Sequence, residues 1–361
     1  MPLVPSYIEH LEPYRPGGTI EEIQEKYGLS KIIKLASNEN PFGPSPLAVE
    51  AMKNVLADVH RYPDAGGIKL RTELAKKYNV KVENVVLGNG SEGIMSCIMR
   101  TFLTDEDEII ATKGSFTGFN ILARASGKKI VWSELTDYRY NLENMIPLIT
   151  EKTKIIYLCN PNNPTGTIFT RNEFENFYRY VPERALIIMD EAYFEFAEEF
   201  PDYPNSMHYR YDNVITLRTF SKAQGLAGVR IGYGMAHERL ITNIMKIKLP
   251  FEPNLIAQHA ALAALKDQAF LQNYIDENSR ARDLYYSFFD SKGLSYKKSY
   301  TNFVMIDFGS EETVSRIHQE LLKKGVMVRP LKFFDLPNCL RISTGRPDEN
   351  EFCIEKLKQI L

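Results

Sequence analysis

The chain is poor in cysteine: of its 361 residues only Cys97, Cys159, Cys339 and Cys353 carry thiols, and no two of them form a CxxC pair. Disulfide frameworks belong to short secreted chains, so this usage argues against one and predicts a reducing, cytoplasmic setting. Histidine is also sparse. The six histidines form no HxH or HxxxH pair and sit near no cysteine cluster, so no metal site is expected. No apolar run exceeds the six residues from Ala260 to Leu265, against the roughly 18 that a membrane span needs, and the opening MPLVPSYIEH lacks the charged and apolar regions of an export signal. Neither sign of charge is in excess: 44 Lys and Arg against 46 Asp and Glu leave a net charge of −2, without long runs of like charge. Nucleic acid is therefore not an expected partner, and small molecules are. Repeats, low-complexity tracts and Gly/Ser linkers are missing as well, so any domains are interleaved or closely packed.

What is present is an alternating pattern. Residues 1–47 are rich in Pro and Gly (LEPYRPGG, SNENPFGPSP), with one amphipathic stretch from Thr19 to Tyr27, and read as an arm laid over something else. From about Ile68, short apolar runs (VVLG, EIIAT, KIVW, KIIYLC, ALIIM, NVITLRT, RIGYGMA) alternate with helix-like segments. Short, two-sided apolar runs between helices predict a mainly parallel sheet covered on both faces. After about Leu255 a long helical stretch to about Asp290 is followed by three strand-like runs, FVMIDF, GVMVRP and CLRIST, with helices between and after them, which predicts a smaller α+β unit.

In open α/β sheets, ligands bind beyond the carboxyl ends of the strands. The segments leaving those ends here are GNGSEG, NPNNPTG, DEAY and TFSKA. In GNGSEG, glycines at a strand exit precede a helix whose first turn holds Ser91 and Glu92, an arrangement that aims free N–H groups at an anion, although an ordinary strand-to-helix turn has the same composition. The spacing of Gly88, Gly90 and Gly93 does not fit a dinucleotide fingerprint. Asp190 closes the run ALIIM, where an unpaired carboxylate is costly, so it needs a cation: an Arg or Lys in a structural pair, or a ligand. Lys222 follows another strand in a Gly-rich context, and Arg230 brings a second cation near the same strand ends. A phosphate nest, a buried carboxylate wanting a cationic ring nitrogen and an amine at the mouth are together the three handles that pyridoxal phosphate requires.

The order and spacing of PNNPTG at 161–166, Asp190-Glu191-Ala192-Tyr193 and Ser221-Lys222-Ala223 with Arg230 resemble the fold-type I pyridoxal-phosphate aminotransferases. LASNENPFGPSP, RYPD, GLAGVRIGYG and LRIST extend the likeness over nearly the whole chain and are most similar to the histidinol-phosphate aminotransferase group. The resemblance implies an α/β fold with a large domain, its mainly parallel seven-stranded sheet flanked by helices, plus a smaller α+β domain and an N-terminal arm. The divisions expected are 1–30 for the arm, 48–254 for the large cofactor-binding domain, and 31–47 with 255–361 for the small domain.

It also implies roles. Lys222 would hold the cofactor covalently and later carry a proton between substrate and cofactor, while Asp190 would keep the ring nitrogen protonated. Asn163 and Tyr193 would hydrogen-bond the cofactor's phenolic oxygen; Gly90, Ser91, Glu92, Ser221 and Arg230 would hold its phosphate. Tyr62 resembles the tyrosine that reaches the phosphate from the partner subunit, which implies a homodimer with shared sites. Phe116 falls where a tyrosine often stacks on the ring; stacking survives the change and the hydroxyl does not, and a core aromatic fits the position equally. Arg341 resembles the arginine that grips the donor's α-carboxylate, and Arg329 its neighbour in enzymes with phosphorylated substrates; either is also readable as a structural ion pair. Asn38, and Tyr14 as an arm residue closing over the partner's substrate, complete the substrate side, with a structural role open for Tyr14. The activity implied is exchange between L-histidinol phosphate with 2-oxoglutarate and imidazole-acetol phosphate with L-glutamate. Alternatives are an aromatic or broad-specificity aminotransferase, a threonine-phosphate decarboxylase, or a non-catalytic sensor of the cofactor, the last disfavoured because the arm is too short for a DNA-binding module.

Overall fold

The computed structural model describes residues 3–11, 18–208 and 212–361; Tyr14 lies outside them. Its centre is a seven-stranded sheet whose strands, in chain order, are β1 (Val85–Gly88), β2 (Glu108–Thr112), β3 (Lys129–Ser133), β4 (Thr153–Cys159), β5 (Leu186–Asp190), β6 (Val214–Thr219) and β7 (Gly232–Met235). They lie side by side as β3-β2-β4-β5-β6-β7-β1, with β7 antiparallel to both neighbours and the rest parallel. This is the mainly parallel sheet expected from the apolar runs. The reason is visible in the burial: every residue of β1, β2, β5, β6 and β7 is buried, so both faces need apolar side chains and the period-two alternation of a half-exposed strand is lost. The main core fills the space between this sheet and the helices Gly90–Phe102, Thr117–Ala125, Arg171–Tyr178 and Glu238–Ile247.

A second, antiparallel sheet lies toward the carboxyl end: β8 (Ser295–Tyr296), β9 (Phe303–Asp307), β10 (Arg329–Pro330) and β11 (Cys339–Ser343), ordered β8-β9-β11-β10. Four strands stand here where three were expected. The short edge strand β8 has too few residues to show a periodicity, and GVMVRP divides, with Val326–Met327 pairing in parallel with Ile33–Lys34 instead. That pairing ties residues 33–35 to this sheet, and Ile33 and Leu35 join its core with Tyr285, Val304, Ile317 and Leu340. The long helical stretch is also two helices, Leu255–Ala264 and Gln268–Lys292. Asp267 causes the break: its carboxylate accepts the Phe270 N–H at 3.3 Å, starting a new helix inside an otherwise continuous pattern.

The expected amphipathic stretch near the start is the helix Ile20–Tyr27, opened by a capping box in which Thr19 and Glu22 satisfy each other's backbone donors. Among the described residues no helix is long and apolar enough to cross a membrane.

Candidate active site

The carboxyl ends of β1, β4, β5 and β6 meet around a cavity of about 220 Å³. Gly90, Ser91, Glu92, Phe116, Asn163, Asp190, Tyr193, Ser221, Lys222 and Arg230 all line it, so the structure gathers in one place ten residues that stand as far as 140 positions apart in the chain (230 − 90). An adjoining cleft of about 920 Å³ shares Glu92, Phe116, Asn163, Lys222 and Arg230 and adds Asn38, Arg329 and Arg341. Tyr62 lines neither. It is 80% exposed and stacks on Phe251 with ring centroids 4.2 Å apart.

One end of the cavity is built for an anion. The helix Gly90–Phe102 begins at Asn89 without a side-chain cap, so the N–H groups of its first turn lack a capping acceptor. Gly90 stands at φ 73°, and a Cβ there would come within 2.7 Å of the Arg230 guanidinium, so only glycine leaves room for that approach. Arg230 meets Glu92 at 3.4 Å with both side chains about half exposed, a pair of small intrinsic strength that an incoming anion can displace. The Ser221 hydroxyl also lines this cavity, 3.0 Å from the Thr219 hydroxyl.

The other end is built for a cation. Asp190 is buried at the end of β5, where the Tyr157 hydroxyl donates to Oδ2 at 2.7 Å and the Ala192 N–H to Oδ1 at 3.2 Å. Among the described residues it has no ion pair. Burial raises its carboxyl to about 6, with the Tyr157 and Ala192 hydrogen bonds opposing and the charges of Glu92 and Glu191 adding to the rise. The cation expected beside Asp190 goes to its neighbour: Arg218, in β6, donates through Nε and Nη2 to Glu191 Oε2 at 2.9 and 2.7 Å, through Nη2 to Asn205 at 2.9 Å, and lies over the Phe194 ring at 3.3 Å. The signal was the arginine in NVITLRT, since a guanidinium inside a two-sided strand demands a buried acid. Because both partners of this pair are fully buried, Arg218→Met is expected to leave Glu191 uncompensated and to cost about 3–5 kcal/mol in urea unfolding, while Arg218→Met with Glu191→Leu costs clearly less. A single variant as stable as the parent would contradict this.

Lys222 lies three residues beyond β6, half-buried, without an ion pair among the described residues and with Nζ 5.7 Å from the centre of the Tyr193 ring. Burial, reinforced by the positive charge of Arg341, lowers its amine to about 8. Arg341 is buried in β11, donating to Asn163 Oδ1 at 2.5 Å and to the Ala36 carbonyl at 2.8 Å, and packing against the rings of Phe303 and Phe334. Arg329 sits directly opposite it on β10 and faces the cleft without an ion pair among the described residues. Two guanidinium groups in register could hold an anionic group. Asn38 reaches the site from the segment after Ile33–Lys34, donating to the Tyr193 hydroxyl at 2.9 Å. Tyr157 and Ser343, which hydrogen-bond Asp190 and Asn38, and Arg218, which pairs with the residue next to Asp190, were not singled out from the sequence. Tyr157 and Ser343 look like ordinary strand residues, and nothing in their spacing marks them.

Residues 30–357 match the family described as aminotransferase class I and II. Curated relatives include a histidinol-phosphate aminotransferase of Caldicellulosiruptor saccharolyticus, 39% identical over 98% of this chain and 99% of its own length, and histidinol-phosphate aminotransferase 2 of Hydrogenovibrio crunogenus, 42% identical over 98% of this chain and 95% of its own. Among solved structures, the histidinol-phosphate aminotransferase of Sinorhizobium meliloti in complex with pyridoxal-5'-phosphate superposes with a TM-score of 0.89 at 28% identity, covering 100% of this chain and 98% of that one. The cavity at the strand ends, with its uncapped helix start, buried carboxylate and lowered amine, thus sits in a chain that belongs to the class I and II aminotransferase family.

Proposed function

We propose that the chain is a pyridoxal-phosphate-dependent aminotransferase of histidine biosynthesis, exchanging an amino group between L-histidinol phosphate with 2-oxoglutarate and imidazole-acetol phosphate with L-glutamate. The carrying observation is that an amine lowered to about 8 and a cation-seeking carboxylate raised to about 6 line the same cavity as an uncapped helix start. The residues present fit pyridoxal phosphate: Gly90, Ser91, Glu92 through its backbone, Ser221 and Arg230 would hold the phosphate, Asp190 the ring nitrogen, Asn163 and Tyr193 the phenolic oxygen, and Phe116 a ring face. When bound, that group supplies an electron sink for the carbanion formed at the substrate carbon. Lys222 Nζ would hold the cofactor and then, as a neutral amine, move the proton at the substrate carbon. Arg341 would orient the anionic substrate, taking the phosphate of histidinol phosphate in one half-reaction and a carboxylate of glutamate in the other, with Arg329 beside it as a second cation for the phosphate. Asn38 would border this group from the arm side.

A homodimer is part of the proposal. Tyr62 does not line its own cavity and is stacked with Phe251 on the surface; Leu56, Val59 and Ile68 near it in sequence and Leu249 near Phe251 are also exposed, a composition suited to burial against a second copy in which Tyr62 reaches the partner's phosphate. The arm at 1–30, the large domain at 48–254 and the small domain at 31–47 with 255–361 are the proposed units. A cytoplasmic location agrees with four cysteines that are all free and buried.

The test is an absorbance spectrum of the purified protein, followed by histidinol phosphate or phenylalanine in the same cuvette. A visible cofactor band that converts with histidinol phosphate at much lower concentration supports the reading; a stronger response to phenylalanine overturns the substrate, and no band after added pyridoxal phosphate overturns the chemistry. Arg329→Gln sharpens the substrate test. Loss of a charge-assisted hydrogen bond to phosphate is expected to lower kcat/KM for histidinol phosphate about 10- to 100-fold while leaving phenylalanine nearly unchanged, and equal losses would refute a phosphate-reading role.

A further inference from the structure

We propose that Ser343 is a positioning residue that sets the direction of the Tyr193 hydroxyl proton, acting through the side-chain amide of Asn38. The three side chains are buried, so water does not compete for their hydrogen bonds. The Asn38 backbone N–H donates to Ser343 Oγ at 2.9 Å, and Ser343 Oγ donates to Asn38 Oδ1 at 2.8 Å. A hydroxyl has one proton; with the N–H occupying a lone pair, that proton goes to Oδ1 and defines it as the acceptor end of the amide. The other end is then Nδ2, which donates to the Tyr193 oxygen at 2.9 Å. Tyr193 therefore accepts from Asn38, and its own proton is left to point elsewhere. Among the described residues no acceptor is placed for it, and Tyr193 lines the cavity beside Lys222 and Asp190.

The remainder of the local structure holds this chain in place. Asn38 has φ 56°, a left-handed backbone that asparagine tolerates better than most residues, and its carbonyl accepts from Asn302 Nδ2 at 3.0 Å. Ser343 is the last residue of β11, two positions beyond Arg341, and its N–H donates to the Leu35 carbonyl at 2.9 Å. The Phe303 and Tyr193 rings pack nearly perpendicular with centroids 5.4 Å apart, which restricts the phenol's plane. Without the Ser343 hydroxyl, Asn38 Oδ1 has no donor; the amide can turn, Tyr193 can donate to Oδ1, and its proton leaves the cavity.

This inference rests on the cofactor reading above, in which Tyr193 donates to the phenolic oxygen. A donor there stabilises negative charge on that oxygen and weakens its hold on the proton of the neighbouring Lys222 nitrogen, so withdrawing the donor raises the pH at which the visible band titrates. The experiment uses the protein loaded with pyridoxal phosphate and follows that midpoint by absorbance. Ser343→Ala is expected to raise it by about one pH unit, Ser343→Thr, which keeps the hydroxyl, to restore the parent value, and Ser343→Cys, a weaker donor of similar size, to fall between and keep the test readable if the alanine variant does not fold. The decisive arm is the Tyr193→Phe background, in which Ser343→Ala should add nothing, whereas a general loosening of the site would still move the midpoint. An unchanged midpoint in Ser343→Ala and Ser343→Cys, or a shift that persists without the phenol, overturns the inference and leaves the functional reading standing. A parent protein that shows no band with added cofactor overturns both.

Discussion

Lys222→Ala is expected to lower turnover of histidinol phosphate by at least about 10⁴-fold while the cofactor still binds. The two halves of this expectation come from different parts of the site. In the proposed reading binding rests mainly on the uncapped start of the helix Gly90–Phe102, on Arg230 and on Asp190, none of which the substitution removes. Turnover rests on an amine that has to be neutral to take a proton, and both burial and the nearby charge of Arg341 lower Lys222 to about 8. At that value about half of the amine is neutral at pH 8, against well under one part in a hundred for an ordinary lysine titrating near 10.4. Among the described residues no other lysine lines the smaller cavity, so no second amine stands there to replace it. General acid–base catalysis alone accounts for about 10²–10⁴-fold, and the covalent hold on the cofactor is lost as well. Single-turnover absorbance would measure the loss, and a variant within tenfold of the parent would dismiss Lys222 as the acting base. The same lowered value fixes a pH dependence: the rate at which cofactor-free protein captures pyridoxal phosphate through Lys222 should rise about tenfold per pH unit on approach to about pH 8 and level off above it. A rise that continued unbroken to pH 10 would mean that the amine is not perturbed.

The central sheet was legible because its signal is local and repeated. Five of its seven strands, β1, β2, β5, β6 and β7, are short, largely apolar runs buried on both faces, and the residues with chemistry stand at the exits of such runs: Asp190 closes β5, Gly90 follows β1 by two positions, and Lys222 follows β6 by three. A rule about where ligands sit in such sheets was then enough to bring them together. Features that depend on contacts between distant segments left no such trace. Asn38 and Ser343 are separated by 305 positions and their bond depends on a left-handed backbone at Asn38, which no periodicity reports. Strand β8 has two residues, and Val326–Met327 takes its partner from Ile33–Lys34 at the other end of the chain. Asp190 illustrates the boundary between the two kinds of information. Its need for a cation followed from the apolar run before it, but only the structure shows that the neighbouring arginine is given to Glu191, so that Asp190 keeps its charge for something else.

That unspent charge leads to the second large effect, in which Asp190→Asn should make the empty protein more stable and the enzyme nearly inactive. In the cofactor-free chain the carboxyl titrates at about 6, against an ordinary 3.8, because burial disfavours its charged form more than the Tyr157 and Ala192 hydrogen bonds favour it. The sign follows directly. Between about pH 4 and pH 6 the folded state holds a proton that the unfolded state has released, so stability falls as pH rises through this window, and above pH 6 the full cost of about 3 kcal/mol is present. Asparagine keeps the shape and an oxygen to accept from Tyr157, gives up the longer bond from the Ala192 N–H and carries no charge, so at pH 7.5, where the lost charge penalty outweighs that bond, the cofactor-free variant should unfold at a higher urea concentration than the parent, and the advantage should vanish toward pH 4. The functional effect runs the opposite way. In the proposed reading an uncharged amide would no longer keep the cofactor's ring nitrogen protonated, and the electron sink would weaken. Losing one preorganised electrostatic partner costs about 10²–10³-fold in comparable sites, and single turnover with histidinol phosphate should show a loss in that range or above it. Stability and activity thus separate at one atom pair, which a merely structural acid would not produce: if Asp190 served only to brace β5, its replacement would lower both. A variant that is less stable than the parent at pH 7.5, or one that turns over within tenfold of it, would remove the carboxylate from the role assigned to it here.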